Sequence, residues 1–328
     1  MIAFAVRRLG IAVVLLLVLL GVLFVLQHVS STDPAAAYLG SKASPADIAA
    51  VRHRLGLDDP LIQQYLRYIW HAVHGDLGTS LRTRNPVSQD LGSFLPATAE
   101  LVIFAFVLAA LLGALFAFSG ALRWPGGGLF RAVLLVGASA PAFLLGLLGI
   151  VLFYSKLGWL PAAGRGPTST SPTGFVLVDS LLHANGPQFV SGLQHLLLPG
   201  LALAIAPAIG IGRILRSSIE TSLRAEHVRT ARSKGLGETA VLERHVLRNS
   251  LGPALSMSGL QLGGMFAGVV VIEQVFSWPG IGLYLGQSIA NADFPAIAGV
   301  TLLLGSIYIV VNAVVDVLQT VADPRLTV

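Results

Sequence analysis

Several sets of residues in this 328-residue chain have types and spacings that chemistry can use. His71 and His74 stand three apart, a spacing that can ligate a metal on a helix, although solvent-facing histidines use it more often. Gly137-Ala138-Ser139-Ala140-Pro141 sets a hydroxyl nucleophile in an apolar stretch. Serine hydrolysis would need a histidine base at the same depth, and the nearest, His195, stands at the end of its apolar run. An intramembrane serine protease is therefore the weaker reading, from a different class. Gln261 and Glu273 are polar residues of a fifth apolar run, and Asn312 and Asp316 stand four apart in a sixth. These four are candidates for a translocation path, a gate or interhelical contacts. A carboxylate at the bilayer centre costs about 2.5–3.5 kcal/mol, and less toward an end, where Glu273 lies. Twelve residues separate Gln261 from Glu273, about 120° on a helix, so they need not share a face. No G-x-x-x-x-G-K-[ST] occurs, so no P-loop nucleotide site is expected, and there is no cysteine for disulfides or thiolate metal sites.

One polar stretch stands apart from all of these. It runs Glu226-His227-Val228-Arg229-Thr230-Ala231-Arg232-Ser233-Lys234-Gly235-Leu236-Gly237 and continues to Arg248-Asn249-Ser250-Leu251-Gly252-Pro253. The first part has good helix formers and a Gly-Leu-Gly stop. A second short helix is expected from Glu238 to about Asn249, with Val241, Leu242, Val246 and Leu247 on one side. Two short helices about a glycine turn also describe a helix-turn-helix. Apolar runs flank this one closely and would block a DNA groove, so an amphipathic docking helix is expected.

The elements that must hold these residues are apolar. Hydrophobic residues make up 54% of the chain and charged residues 11%, against roughly 25% charged in soluble domains. Mean hydropathy is +0.77. An all-α polytopic membrane protein follows, with six transmembrane helices at 9–26, 98–118, 132–154, 196–214, 255–276 and 296–321. The first run is longer than a signal-peptide core and is read as a retained span, with Ala35-Ala36-Ala37 the one cleavage-like site. Pro141, Pro199 and Pro207 fall inside spans, as kinks or path-lining bends. Short basic segments cluster on one side, including 119–131 and the eight Lys/Arg between Arg213 and Arg248. The positive-inside rule then places both termini in the cytosol and explains the net charge of +5 without nucleic acid.

The domain reading is a first span at 1–27, an extracytoplasmic helical subdomain at 28–97 and a five-helix core at 98–328 that carries the cytosolic loop 213–252. In the subdomain, Ser44-Pro45-Ala46-Asp47 starts a helix that Gly56 can close, and Asp59-Pro60 starts another that Gly75 can end. The second carries Tyr65, Tyr68 and Trp70, fit for an interfacial anchor or a partner protein. Gly259/Gly263 and Gly264/Gly268 are small-xxx-small pairs in the fifth span. No chemistry is assigned to residues 160–194.

The order of these stretches resembles a family. Arg229-Thr230-Ala231, then Gly235 and Leu251-Gly252-Pro253, is similar to the EAA loop of binding-protein-dependent ABC importer permeases, in its dipeptide/oligopeptide branch. Gly75-Asp76-Leu77-Gly78, Pro96-Ala97-Thr98-Ala99-Glu100-Leu101, Gln274-Val275-Phe276-Ser277-Trp278-Pro279-Gly280, Val315-Asp316 and Asp323-Pro324-Arg325 agree with that branch. Arg229 stands where the signature has Glu, a change the peptide branch shares. The resemblance implies one half of a translocation pathway for di- or oligopeptides in the cytoplasmic membrane, with nickel or glutathione as alternative cargo. It also implies a homologous second permease, two cytosolic ATPases and an extracytoplasmic substrate-binding protein, all beside membrane lipid. ATP and magnesium would be bound by those ATPases, leaving this chain with no cofactor, metal or catalysis of its own. The ATPase-coupling role falls on Arg229, Thr230, Ala231, Lys234 and Gly235, with the small Ala231 allowing close docking.

Overall fold

The structure, a computed structural model, describes residues 2–29, 44–54, 56–121, 124–166 and 172–322. The Ala35-Ala36-Ala37 site, Arg123, the Asp316 side chain and Asp323-Pro324-Arg325 lie outside the described residues. Among those described, every regular element is helical. They are α1 (Ile2–Val29), α2 (Pro45–Arg54), α3 (Leu61–Val73), α4 (Val87–Ala121), α5 (Gly127–Ala138), α6 (Ala142–Gly149), α7 (Val176–Leu182), α8 (Gly186–Leu223), α9 (Glu226–Ser233), α10 (Glu238–Val241), α11 (Arg248–Val275), α12 (Ile281–Ala290) and α13 (Phe294–Ala322). Among the described residues five helices are long and apolar enough to cross a membrane, and a sixth span forms if the bent pair of α5 and α6, the latter continued by π-helical turns to Lys156, counts as one.

That pair departs from the expected third span. Its halves are bent by 111° from a straight continuation, because the first half is finished before the proline arrives. Ser139 and Ala140 donate backbone N–H bonds to Val136 and Gly137, three residues back, at 3.2 and 3.1 Å. Pro141 then takes an extended ψ of 142° and leads into α6, as expected of a residue that lacks an N–H and crowds the preceding turn. Pro199 and Pro207 instead lie inside one continuous α8. The second expected span also begins earlier, at Val87 rather than 98. The expected short helix after Glu238 is no separate element. α10 passes through wide π-helical turns at Leu242–Leu247 into α11, so that Glu238–Val275 is one rod.

Contacts group the chain into two units. The first comprises Met1–Phe94 and Tyr284–Ile307. Ser44 caps α2 as its type and position predict, its hydroxyl accepting from Asp47 N–H at 3.2 Å. Gly56 (φ 62°) and Gly75 (φ 77°) close α2 and α3. In both, the next residue donates back into the helix, Leu57 to Arg52 at 3.0 Å and Asp76 to His71 at 3.0 Å. α3 leans on α1 through Phe24, Tyr65 and Tyr68. The same unit buries Asp90, which accepts from the hydroxyl of Tyr284 at 2.9 Å and from Asn85 Nδ2 at 3.1 Å. Asp293 accepts from Ser80 Oγ. Burial, and then the carboxylate of Asp90, hold the Tyr284 phenol protonated well above its ordinary range.

The second unit comprises Leu95–Leu283 and Tyr308–Val328. Here α8 is the central helix, packed by α5, α6, α7 and α11. Among the glycines of α11, Gly259 fits against Val315 of α13, where an added Cβ would stand 2.1 Å from the valine side chain. Gly263 faces Tyr308 and Asn312. This pair makes the close contact expected of small-xxx-small spacing. An added Cβ at Gly264 would meet nothing within 4 Å, and one at Gly268 would make only ordinary contact with Leu203.

Candidate functional site

The polar stretch folds as α9, eight residues long, with Glu226 in its first turn and Arg232 in its last. Both charges complement the helix dipole. Gly235 ends the turn at φ 79°, its N–H donating to Arg232 O at 2.9 Å and Leu236 N–H to Ala231 O at 3.3 Å. This is the left-handed closure that glycine accommodates without a Cβ penalty. Arg232 then grips Glu238 across the turn with two parallel bonds of 2.7 and 2.9 Å.

α9 has one inward side. Val228 (0% exposed) and Ala231 (5%) join a core with Leu215 and Ile219 of α8, Val241 and Val246 of the rod, and Ala117 of α4. Its other side is open, with Arg229 81% exposed at the side chain and Thr230, Ser233 and Lys234 exposed. Thus Arg229, Thr230, Lys234 and Gly235 are outward, and Ala231 is not. The close approach that its small side chain permits is to the helix's own bundle, which corrects the expected outward docking role. Polar ties strengthen the seat. Ser250 Oγ, on α11, lies 3.1 Å from Ser222 Oγ on α8. Asn249 Nδ2 donates to His245 O at 2.9 Å and stands 3.3 Å from His227 Nε2.

A second constellation sits at the other end of the rod. Glu273 is fully buried. Its Oε1 accepts from Thr98 Oγ1 at 2.7 Å, and its Oε2 accepts from the N–H groups of Gly282 (2.6 Å) and Leu283 (3.2 Å). Thr98 Oγ1 also accepts from Ile281 N–H at 2.7 Å. The two side chains therefore cap the start of α12, whose first N–H groups have no partner within the helix. Trp278 is fully buried beside them and donates its indole N–H to Ala97 O at 2.9 Å. Gly280 is required: a Cβ there would stand 2.2 Å from Glu273 Oε1 and 2.5 Å from Thr98 Oγ1. Next along α4, Glu100 pairs with Arg165 at side-chain exposures of 6% and 10%. Glu100 Oε1 also accepts from Leu177 N–H at 2.7 Å. The Arg165 guanidinium lies 5.8 Å from the centre of the Trp278 ring.

The stretches 96–101 and 274–280 thus meet in one packed hub, and the EAA-like stretch forms a helix standing outward from the same unit. Comparison with known sequences identifies the family. The profile described as "Binding-protein-dependent transport system inner membrane component" matches residues 105–328. Its N-terminal companion, "Binding-prot-dependent transport system membrane comp, N-term", matches residues 1–102. The chain belongs to the family of binding-protein-dependent transport system inner-membrane components. Relatives of this permease match over nearly their whole lengths. One is a probable D,D-dipeptide transport system permease protein of Escherichia coli K12, 42% identical over 92% of this chain and 91% of its own. Another is a dipeptide transport system permease protein of Alkalihalophilus pseudofirmus, 38% identical over 99% of both. A third is a glutathione transport system permease protein of Salmonella paratyphi A, 39% identical over 98% of this chain and 97% of its own. The chain is an inner-membrane transport subunit, and its relatives are permeases rather than enzymes.

Within the permease, the three path or gate candidates whose side chains are described, Gln261, Glu273 and Asn312, are held in separate places. Glu273 is held in the hub, its oxygens occupied by the bonds above. Gln261 lies against Gly210 of α8, where an added Cβ would meet its Nε2 at 2.2 Å. Asn312 donates to Tyr308 O on its own helix at 2.8 Å and neighbours Gly263. His71 and His74 are likewise separated in purpose, His71 Nδ1 lying 2.9 Å from Asp76 Oδ2 and His74 Nδ1 2.7 Å from Trp70 O. Sequence reasoning missed Thr98, Glu100, Arg165 and Trp278 as functional or positioning residues. The signal for three of them was present, since they stand in the two family-like stretches. Arg165 had none.

Proposed function

We propose that this chain is one of two homologous permease subunits of an ATP-driven importer, forming half of the path for di- and oligopeptides across the cytoplasmic membrane. α9 is its coupling helix, held in the cytosol and seated on one of two ATPase subunits that bind ATP and magnesium. An extracytoplasmic binding protein delivers the peptide. The observation that carries this reading is the two-sided build of α9. An outward face of Arg229, Thr230 and Lys234 rests on an inward face of Val228 and Ala231. A push on the outward face passes directly to α8 and to the rod Glu238–Val275. Two dipeptide permeases and a glutathione permease among the relatives support short peptides, including a γ-linked tripeptide, as cargo.

The absence of native cysteine makes the test direct. Thr230→Cys, in the assembled complex, should cross-link to an ATPase subunit bearing a single engineered cysteine in its docking groove. The same cells should take up labelled dipeptide. Purification as a homo-oligomer with no ATPase, or uptake indifferent to ATP, would overturn the proposal.

A further inference from the structure

α3 carries an apolar stripe that its own unit leaves open. On a helical wheel Ile62, Leu66, Ile69 and Val73 fall within about 60° of one another. Ile62 is 74% exposed and Val73 equally so, with Leu66 and Trp70 open beside them. Tyr65 and Tyr68 are turned toward α1. Gln63, Arg67 and His71 make a third, polar side. A helix built in three sectors, one for its neighbour, one apolar and open, one polar, is built for a boundary between oil and water.

Its depth is set by α1. The apolar run of α1 is Gly10–Val29, and α3 meets it from Leu17 to His28. Tyr65 hydroxyl donates to Leu17 O at 3.0 Å, close to Gly21, and His28 Nε2 lies 3.1 Å from Gln64 Oε1. The contacts run from His28, one residue before the end of that span, to Leu17, about 18 Å before it at 1.5 Å per residue, the deepest being made by the tip of the Tyr65 side chain. An interfacial helix sinks its apolar face by about 5–10 Å, a depth within that range. The stripe also continues onto α1. A cleft of about 610 Å³ between the helices is lined by Val18, Val22 and Val25 on one side and Leu61 and Ile62 on the other. Its lining is nearly all apolar.

We propose that α3 is a membrane-surface helix in the leaflet at the C-terminal end of α1, with phospholipid acyl chains covering its Ile62–Leu66–Val73 stripe and filling the α1/α3 cleft. The occupant is lipid because the stripe is continuous with the exposed apolar surface of a membrane span and lies at interfacial depth.

The test places a spin label on Ile62→Cys, Leu66→Cys, Val73→Cys and, as the polar control, Gln63→Cys, one at a time in the otherwise cysteine-free full chain. Each is assembled in its transporter in nanodiscs of phosphatidylethanolamine and phosphatidylglycerol. Collision with oxygen relative to a water-soluble nickel chelate should be severalfold higher at 62, 66 and 73 than at 63. In the cysteine-free parent, brominated phospholipid should quench fluorescence, and Trp70→Phe should remove part of that quenching. Equal water access at all four sites overturns the proposal. So does exclusion of both probes from 62, 66 and 73, which would mean that protein covers the stripe.

Discussion

At the scale of single residues, the hub explains why Thr98, Glu273 and Gly280 are what they are. Glu273 is buried without a cationic partner among its hydrogen bonds, and is held by a hydroxyl and two backbone N–H groups. Thr98→Val keeps shape but strands the Ile281 N–H and removes one donor to the carboxylate. Leaving a buried group unsatisfied costs about 1–3 kcal/mol, so the melting temperature of the purified complex should fall. Thr98→Ser should largely restore it. The ion pair Glu100–Arg165 makes a sharper case. Removing one partner of a buried pair typically costs about 3–5 kcal/mol, because the other charge stays buried. Arg165→Met should therefore destabilise more than the double variant Arg165→Met/Glu100→Gln, and a double-mutant cycle in thermal unfolding reads that difference. A double variant as unstable as the sum of the two singles would show that the charges are not coupled.

At the scale of elements, two glycines separate space from backbone conformation. At Gly235 a Cβ meets nothing within 4 Å, yet φ is 79°. The obstacle there is the left-handed conformation alone, about 1–2 kcal/mol for an L-residue. Gly235→Asn should keep near-normal uptake, since asparagine tolerates that region, whereas Gly235→Val should lose uptake and ATPase association together. Normal assembly and uptake in the valine variant would remove Gly235 from the coupling turn. These contrasts also show what the chain made legible. Ser44, Gly56, Gly75 and Gly235 were readable because caps and helix stops act through the residue itself and its near neighbours. The break at Pro141 was foreseen only as a kink, since three-residue turns at Ser139 and Ala140 and a proline inside a helix leave the same letters. The inward turn of Ala231 was not legible, because which face of an eight-residue helix is covered depends on α8 and the rod, which are remote in sequence. Arg165 was lost for the same reason. It stands in a loop whose composition reads only as irregular, 65 residues from its partner Glu100 on α4.

At the scale of the molecule, α9 and the hub occupy opposite ends of one helix. The rod Glu238–Val275 has 38 residues, roughly 57 Å at 1.5 Å per residue. Its foot carries Val241 and Val246 against α9, and its far end carries Glu273 and leads into the turn that places Trp278 and Gly280. A continuous helix carries displacement as well as contact, so damage at its two ends should be distinguishable. Gly280→Ala forces a methyl into the carboxylate of Glu273 while leaving α9 untouched. That variant should still copurify with the ATPases, because their seat is intact, but should lose peptide uptake as the far end of the rod loses its anchor. Gly235→Val should lose both. The pair of outcomes is read by one pull-down and one uptake assay on the same membranes. A Gly280→Ala chain that reaches the membrane in normal amount yet fails to hold the ATPases would mean that the hub sets the fold of the docking end. Transmission along the rod would then not be the reason for its place at the other end.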